Sequence, residues 1–301
     1  MASQKEIEST YDYMDRIFRS VLGNHGDITC AMYNGDFSMS LEQAQKSKHA
    51  YILDGIRFKK GDRVLDIGCG WGPLLQVLKH EGGQEYGLTI SPAQAKNCRD
   101  NHLKATLGDW KDIQPCSLGK FDSIVSVGAF EAFCSVEELL SNRQEEIYSR
   151  FFKICHELLK DEGRMFLQTM MWGKQVPVPE DLNIKAEKLS DQWVLGYLAK
   201  FYPGSWLPND LKQISKCAAP YFRLISENNG RLDYIQTLKE WGERLGQFRF
   251  KKLLYELRLV PKYVSSRNFR QQITSLKYSC NRLCFEREIM SHQRLIFEKV
   301  G

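Results

Sequence analysis

Val64-Leu65-Asp66-Ile67-Gly68-Cys69-Gly70-Trp71-Gly72 decides how this chain reads. A short apolar run carries an acidic residue near its end, a Gly-x-Gly-x-Gly turn follows, and Pro73-Leu74-Leu75 opens an amphipathic stretch. This is a strand, a tight turn and a helix N-terminus in succession. Glycines let the backbone turn sharply and lie close against a bound ligand. Dinucleotide-binding turns use a similar glycine set, so the triplet alone is weakly specific. With Asp66 two residues ahead of Gly68, the spacing favours S-adenosylmethionine over NAD. A carboxylate suits the amino group of that sulfonium cofactor, and no diphosphate needs the helix dipole. Asp66, Gly68, Gly70 and Gly72 are the first candidate cofactor residues.

Beyond this turn, short apolar runs alternate with longer amphipathic ones, the pattern of a parallel sheet flanked by helices. Strands are expected at 63–67, 85–89, 104–107, 121–127 and 164–168, with a closing strand at 293–300. Helices are expected at 73–80, 92–102 and 144–159, the last with Ile147, Phe151, Ile154 and Leu158 at helical spacing. Ser91 before Pro92 reads as an N-cap, and Gly163 as the stop after a helix. The second strand closes in Gly87-Leu88-Thr89-Ile90-Ser91-Pro92-Ala93-Gln94. Dinucleotide folds end this strand on an acidic residue that binds ribose; here Thr89 stands there, with Gln94 able to supply hydrogen bonds. Leu107-Gly108-Asp109-Trp110 follows the third strand, where Trp110 either meets an adenine edge or fills the core.

The 301 residues are 43% hydrophobic and 26% charged, which excludes a disordered tail or a repeat array. No apolar run approaches the length of about 18 residues that spans a bilayer. The start MASQKEIEST lacks a signal-peptide layout. The expectation is a soluble, cytoplasmic protein whose membrane contact is at most transient. Nine cysteines without a CxxC pair exclude a disulfide framework, and Cys280 and Cys284 read as thiols on one helix face, with no metal site. Residues 1–210 hold 24 Lys+Arg against 29 Asp+Glu, and residues 211–301 hold 18 against 8, a net of +10. A basic C-terminal third suits an anionic partner such as an acidic carrier protein, or is simply a solvated helical face. No basic-aromatic RNA motif is present, so no nucleic acid partner is expected.

Taken together, these residues resemble the cyclopropane-fatty-acid synthase family of S-adenosylmethionine-dependent methyltransferases, and within it the mycolic-acid cyclopropane synthases. The resemblance runs from about Tyr11 to Trp241. It is carried by Thr29-Cys30-Ala31-Met32-Tyr33, Leu41-Glu42-Gln43-Ala44-Gln45, the Asp66 to Gly72 turn, Gly87 to Gln94, Val125-Ser126-Val127-Gly128-Ala129-Phe130-Glu131, Phe201-Tyr202-Pro203-Gly204 and Leu207-Pro208. It implies an α/β, class I methyltransferase-like (Rossmann-like) fold, a mostly parallel sheet of about seven strands with helical insertions. The division expected is a helical cover at 1–60, a cofactor-binding core at 61–169, substrate-cover insertions and late sheet at 170–292, and a closing strand at 293–301, all in one structural domain.

The resemblance also implies a chemistry. An alkene attacks the cofactor's methyl group, a carbocation forms, a base removes a proton, and a dry aromatic pocket keeps water away. In the family a bound bicarbonate is that base, held by a cysteine backbone group, a glutamate, a histidine and a tyrosine. The matching positions are Cys30, Glu131 and Tyr234, and the cofactor contacts carry over to Ile28, Thr29, Gly68, Gly70, Thr89, Gln94 and Trp110. The histidine is missing: none lies at 171–178, Ala132 follows the glutamate, and Asp233 precedes the tyrosine. The bicarbonate site is therefore altered or absent. The chain lacks the long N-terminal extension of bacterial synthases that act on membrane phospholipid, which implies a carrier-bound or free acyl substrate. A second reading is a small-molecule N- or C-methyltransferase of natural-product biosynthesis, in which Glu131 accepts the proton directly. A third is a cofactor- or nucleic-acid-binding protein on a degenerate methyltransferase fold.

Overall fold

Seven strands make one sheet in the order β3-β2-β1-β4-β5-β7-β6: β1 Arg63–Ile67, β2 Gln84–Thr89, β3 Ala105–Leu107, β4 Phe121–Val127, β5 Leu159–Trp172, β6 Phe222–Asn229 and β7 Met290–Lys299. The computed structural model describes Leu22 and residues 26–247 and 250–301. Strands β1 to β5 pair in parallel, and β7 runs antiparallel between β5 and β6. Strand order reverses between β1 and β4, so a crevice opens at their carboxyl ends, where ligands bind in open α/β sheets.

Local sequence explains the central elements. Val64 to Ile67 are all buried, because helices cover a parallel sheet on both faces. Pro73–His80 starts with a proline in its first turn and buries Leu74, Leu75 and Leu78. Ser91 caps Pro92–Asp100 by accepting from Gln94 N at 3.3 Å. Gln144–Leu158 buries Ile147, Phe151, Ile154 and Leu158 on one stripe.

Three elements differ from expectation. Strand β5 begins at Leu159, and its register against β4 jumps from Phe121↔Leu159 to Ser123↔Arg164. Residues 160–163 bulge out there, with Glu162 at φ 61°, so Gly163 sits in a strand irregularity and not at a helix end. The closing strand starts three residues early, at Met290. Edge strand β6 was not expected. Its inward positions include the polar Ser226 and Asn228 while Ile225 points outward, which blurs the apolar alternation of a strand.

The cover is built from distant parts of the chain. Cys30, Ala31 and Tyr33, Met170 and Trp172 of β5, helix Asp191–Leu198, helix Arg231–Gly246 and helix Cys280–Glu286 bury one shared apolar cluster. In the described part of residues 1–60 a single helix forms, Leu41–Gly55, and 26–40 is irregular. Tyr11, Tyr13, Met14, Ile17 and Phe18 lie outside the described residues. The C-terminal basic charge is not one free patch, for Lys216, Arg223, Arg244 and Arg287 pair with Glu145, Glu298, Glu42 and Asp191.

Candidate active site

Asp66 sits near the end of β1, buried, and its Oδ1 has no hydrogen-bond partner among the described residues. Burial, with the Asp27 charge adding, pushes its carboxyl up to about 8. A buried carboxylate without a donor is costly, and a cationic amino group is what would satisfy it. Gly68, Gly70 and Gly72 all have positive φ, at 87°, 54° and 84°. A Cβ on Gly68 would lie 2.3 Å from Ala129 Cβ, and one on Gly72 would meet Leu103 Cδ1 at 2.8 Å, while beside Gly70 there is nothing within 4 Å. Gly68 therefore brings the loop after β4 against the turn, and Gly70 faces open space. An unpaired acid beside an open glycine turn fits S-adenosylmethionine. Among the described residues no group of His, Cys, Asp and Glu is arranged to hold a metal.

Thr89 ends β2 and donates through Oγ1 to Gln94 Oε1 at 2.6 Å. Trp110 stands in the core, its ring centroid 5.0 Å from Phe133 and 5.3 Å from Phe151. Ile28 is exposed and Thr29 half-buried. Their segment is anchored by Asp27, which accepts from Thr29 Oγ1 at 2.6 Å and from Thr29 N at 3.1 Å, meets His49 Nε2 at 3.1 Å and pairs with Lys48. Burial would raise the Asp27 carboxyl, but Lys48 and His49 hold it far below the usual carboxylate range.

Glu131 lies in a single 3-10 turn, Phe130–Ala132, just past β4. Its Oε1 accepts from Met170 N at 2.7 Å, and its Oε2 is buried with no partner among the described residues. Burial pushes its carboxyl up to about 7, against the pull of the Met170 N–H, its own backbone and the Thr169 hydroxyl. Cys30 is buried in the cluster that also holds Met170. Its carbonyl accepts from Gln168 Nε2 at 3.2 Å, and burial pushes its thiol up to about 12. The thiol is a packing group, so only the Cys30 backbone is available to a ligand. Tyr234 is buried with its ring 4.8 Å from Phe285 and 5.2 Å from His292. Burial raises its phenol well above normal, and Tyr202, Cys30 and Glu131 add to this. The fold thus brings Cys30, Glu131 and Tyr234 into one neighbourhood.

Three polar residues here escaped the sequence reading. Gln168 is buried in β5, with Oε1 unpartnered among the described residues. A glutamine inside the apolar run Met165-Phe166-Leu167-Gln168-Thr169-Met170-Met171 was the available signal. Arg294 is fully buried in β7; it pairs with Asp233 at 2.9 Å and donates to Ala31 O at 2.8 Å and Asn228 Oδ1 at 2.7 Å. Asp233 in turn accepts from Tyr33 N at 3.1 Å. The aspartate before the tyrosine is therefore half of a buried ion pair that ties 31–33 to β7. His292, opposite Met170 in the sheet, is held neutral by burial, with Arg294 and Lys48 adding. No signal in the sequence places it beside Tyr234.

Glu131 Oε2 and Gln168 Oε1 are two oxygens without a donor among the described residues, so of the groups expected to hold a bicarbonate only the Tyr234 O–H and the Cys30 N–H would donate to it.

This sheet, with β7 reversed between β5 and β6 and a glycine turn after an acid-bearing β1, is the class I methyltransferase fold. The chain matches the family model described as mycolic acid cyclopropane synthetase over residues 1–263, and it belongs to that family of S-adenosylmethionine-dependent methyltransferases. It is 30% identical over 251 residues to the S-adenosylmethionine-dependent methyltransferase UmaA of Mycobacterium tuberculosis, covering 80% of this chain and 82% of that protein. It is 31% identical over 239 residues to the cyclopropane-fatty-acyl-phospholipid synthase of Escherichia coli, covering 78% of this chain and 54% of that one. Among solved structures, mycolic acid cyclopropane synthase CmaA1 complexed with SAH and CTAB superposes with a TM-score of 0.75 at 22% identity over 99% of both chains. Coclaurine N-methyltransferase bound to N-methylheliamine and SAH superposes with 0.71 at 16%, over 94% of this chain and 78% of that one. At those identities the structures speak for the fold alone. Among the described residues no helix is long and apolar enough to cross a membrane.

Proposed function

We propose that the protein moves the methyl group of S-adenosylmethionine onto an acceptor with a large apolar body, and that Glu131 takes the proton the acceptor releases. The observation that carries this is the buried Glu131 carboxyl, pushed up to about 7, with one oxygen fixed by Met170 N and the other free. A base poised near neutral pH is what proton removal requires.

When bound, the cofactor supplies an electrophilic methyl on a sulfonium. Asp66 would hold its amino group, with the backbone at Gly68 and Gly70 and with Ile28, Thr29, Thr89, Gln94 and the edge of Trp110 around the rest. The shared cluster of Tyr33, Met170, Trp172, Trp193, Trp206 and Tyr234 would bury the acceptor's apolar body and exclude water. Arg294 and Asp233 would hold Cys30 and Tyr234 in register.

The relatives' names point to an alkene carbon of a lipid-like chain, whose methylation ends in a cyclopropane or a methyl branch. The second reading, methylation of nitrogen or activated carbon in a small molecule, is favoured by Gln168 Oε1, a buried acceptor that an N–H would satisfy. An acidic carrier protein rests on the charge of the C-terminal third alone. Incubation with methyl-labelled cofactor and a lipid and metabolite extract tests the function; transfer that is lost in Glu131→Gln is the expected result, and absence of transfer to any component overturns it.

A further inference from the structure

The two unpartnered oxygens near Met170 restrict what the acceptor can be. Gln168 and Met170 stand on the same face of β5, two residues and so about 7 Å apart. Glu131 is bound to the backbone N–H of the second, and Gln168 Nε2 to the carbonyl of Cys30. That carbonyl can only accept, so the amide must turn its NH2 toward Cys30 and its oxygen away. Glu131 is fixed through Oε1, and the Thr169 hydroxyl beside it gives its hydrogen to Met170 O at 2.9 Å. Both Glu131 Oε2 and Gln168 Oε1 are left buried without a donor among the described residues. Cys30, Met170 and Tyr234 belong to one buried cluster, and Gln168 and Glu131 are hydrogen-bonded to the first two, so both oxygens border that cluster.

Resting on the methyl-transfer reading above, we infer that the acceptor carries N–H hydrogens: it is an amine with an apolar body, held by Glu131 and Gln168. A primary amine brings two hydrogens and can satisfy both oxygens, whereas an alkene brings none and would leave both unpaired among apolar side chains. Sites built to hydrogen-bond a substrate reject the analogue that lacks the group by on the order of 10⁴-fold. The reaction balances on this chain's groups. The nitrogen lone pair forms the new N–C bond, the C–S bond breaks with its electrons staying on sulfur, and the N–H proton passes to Glu131 Oε2. No bicarbonate is required, which accounts for the absence of the family's histidine from the matching positions.

The test uses molecules that separate the two groups. Purified protein and methyl-labelled S-adenosylmethionine are incubated separately with oleylamine, which has both an amine and a double bond, with octadecylamine, which has only the amine, and with methyl oleate, which has only the double bond. The label is located by tandem mass spectrometry. Label on nitrogen in both amines and none on methyl oleate is expected. Gln168→Leu should raise KM for the amine at least tenfold and leave the affinity for S-adenosylmethionine unchanged. Label on the double-bond carbons of oleylamine, or no label on either amine while calorimetry shows the cofactor bound, overturns the inference but not the methyl-transfer reading. Failure of the cofactor to bind overturns both.

Discussion

The Glu131 carboxylate accepts the backbone N–H of Met170 at 2.7 Å through Oε1 and keeps Oε2 buried, with no partner among the described residues. One hydrogen bond thus orients the acid while leaving its second oxygen for a proton. Met170 belongs to β5 and Glu131 to the loop after β4, so the parallel pairing of β4 with β5 sets the geometry of the proposed base.

Glu131→Gln keeps the Met170 hydrogen bond but cannot take a proton. It should lower kcat by about 10²- to 10⁴-fold, the usual share of a general base, with cofactor affinity by calorimetry unchanged. Because burial pushes the wild-type carboxyl up to about 7, its base form grows as pH rises. Initial rates should climb toward pH 7 and level above it, and the residual rate of the variant should lack that limb.

Asp66→Asn should cost on the order of 100-fold in S-adenosylmethionine affinity, the value of a charge-assisted hydrogen bond in a buried site. The same change should stabilise the ligand-free protein. Folding raises this carboxyl from 3.8 to about 8, so its contribution is full below about pH 3.8 and is lost as pH rises through about 8. A melting temperature higher by roughly 2–4 °C near pH 7.5, the effect of about 1 kcal/mol in a domain of this size, is the expected reading. An unchanged affinity would remove Asp66 from the cofactor site.

Lys48→Met leaves the buried Asp27 carboxylate without its partner, which should cost about 3–5 kcal/mol in denaturant unfolding. Adding Asp27→Asn should recover part of that loss. The sign of the pH effect is opposite to that of Asp66. The Asp27 carboxyl is lowered by folding, so its contribution is present above pH 3.8 and is lost as pH falls toward the folded value. Wild-type protein should therefore lose stability in acid more steeply than the double variant.

Gly68→Ala should be far more damaging than Gly70→Ala. Both positions have positive φ and share the strain of about 1–2 kcal/mol that a Cβ meets there. Only at Gly68 does the Cβ collide, at 2.3 Å, with Ala129, two residues from Glu131. Circular dichroism melts and cofactor calorimetry on the two variants distinguish strain alone from displacement of the β4 loop.

All nine cysteines are free, and Cys116 is the exposed one. Ellman's reagent should titrate one thiol quickly in the native protein and nine after denaturation. A second fast thiol would mean that the packing over one of the eight buried cysteines opens.

Much of the core was written in local pattern. The apolar Val64 to Ile67, the glycines after it and Pro73 state a buried strand, a turn and a helix start, each within one element's reach. Ser91 and Pro92 did the same for the next helix. The resemblance named Cys30, Glu131 and Tyr234 from short motifs. Edge strand β6 was less legible because its inward side chains turn polar toward Asn228, which Arg294 uses. Gln168 was visible as a polar residue in an apolar strand, but nothing local distinguishes a functional glutamine from one satisfied by a neighbour.

By itself the sequence determined a parallel sheet flanked by helices and its glycine turn, since periodicity and turn chemistry act over a few residues, and the family resemblance added the methyltransferase class and the acid that follows β4. Tertiary structure alone decided that Asp233 is spent on Arg294, that His292 lies against Tyr234, and that Glu131 Oε2 and Gln168 Oε1 have no donor among the described residues. Whether a buried oxygen finds a hydrogen depends on which distant segments pack around it. That pairing is fixed only when β5, β7, the segment at 30–33 and the helix Arg231–Gly246 close over the same space.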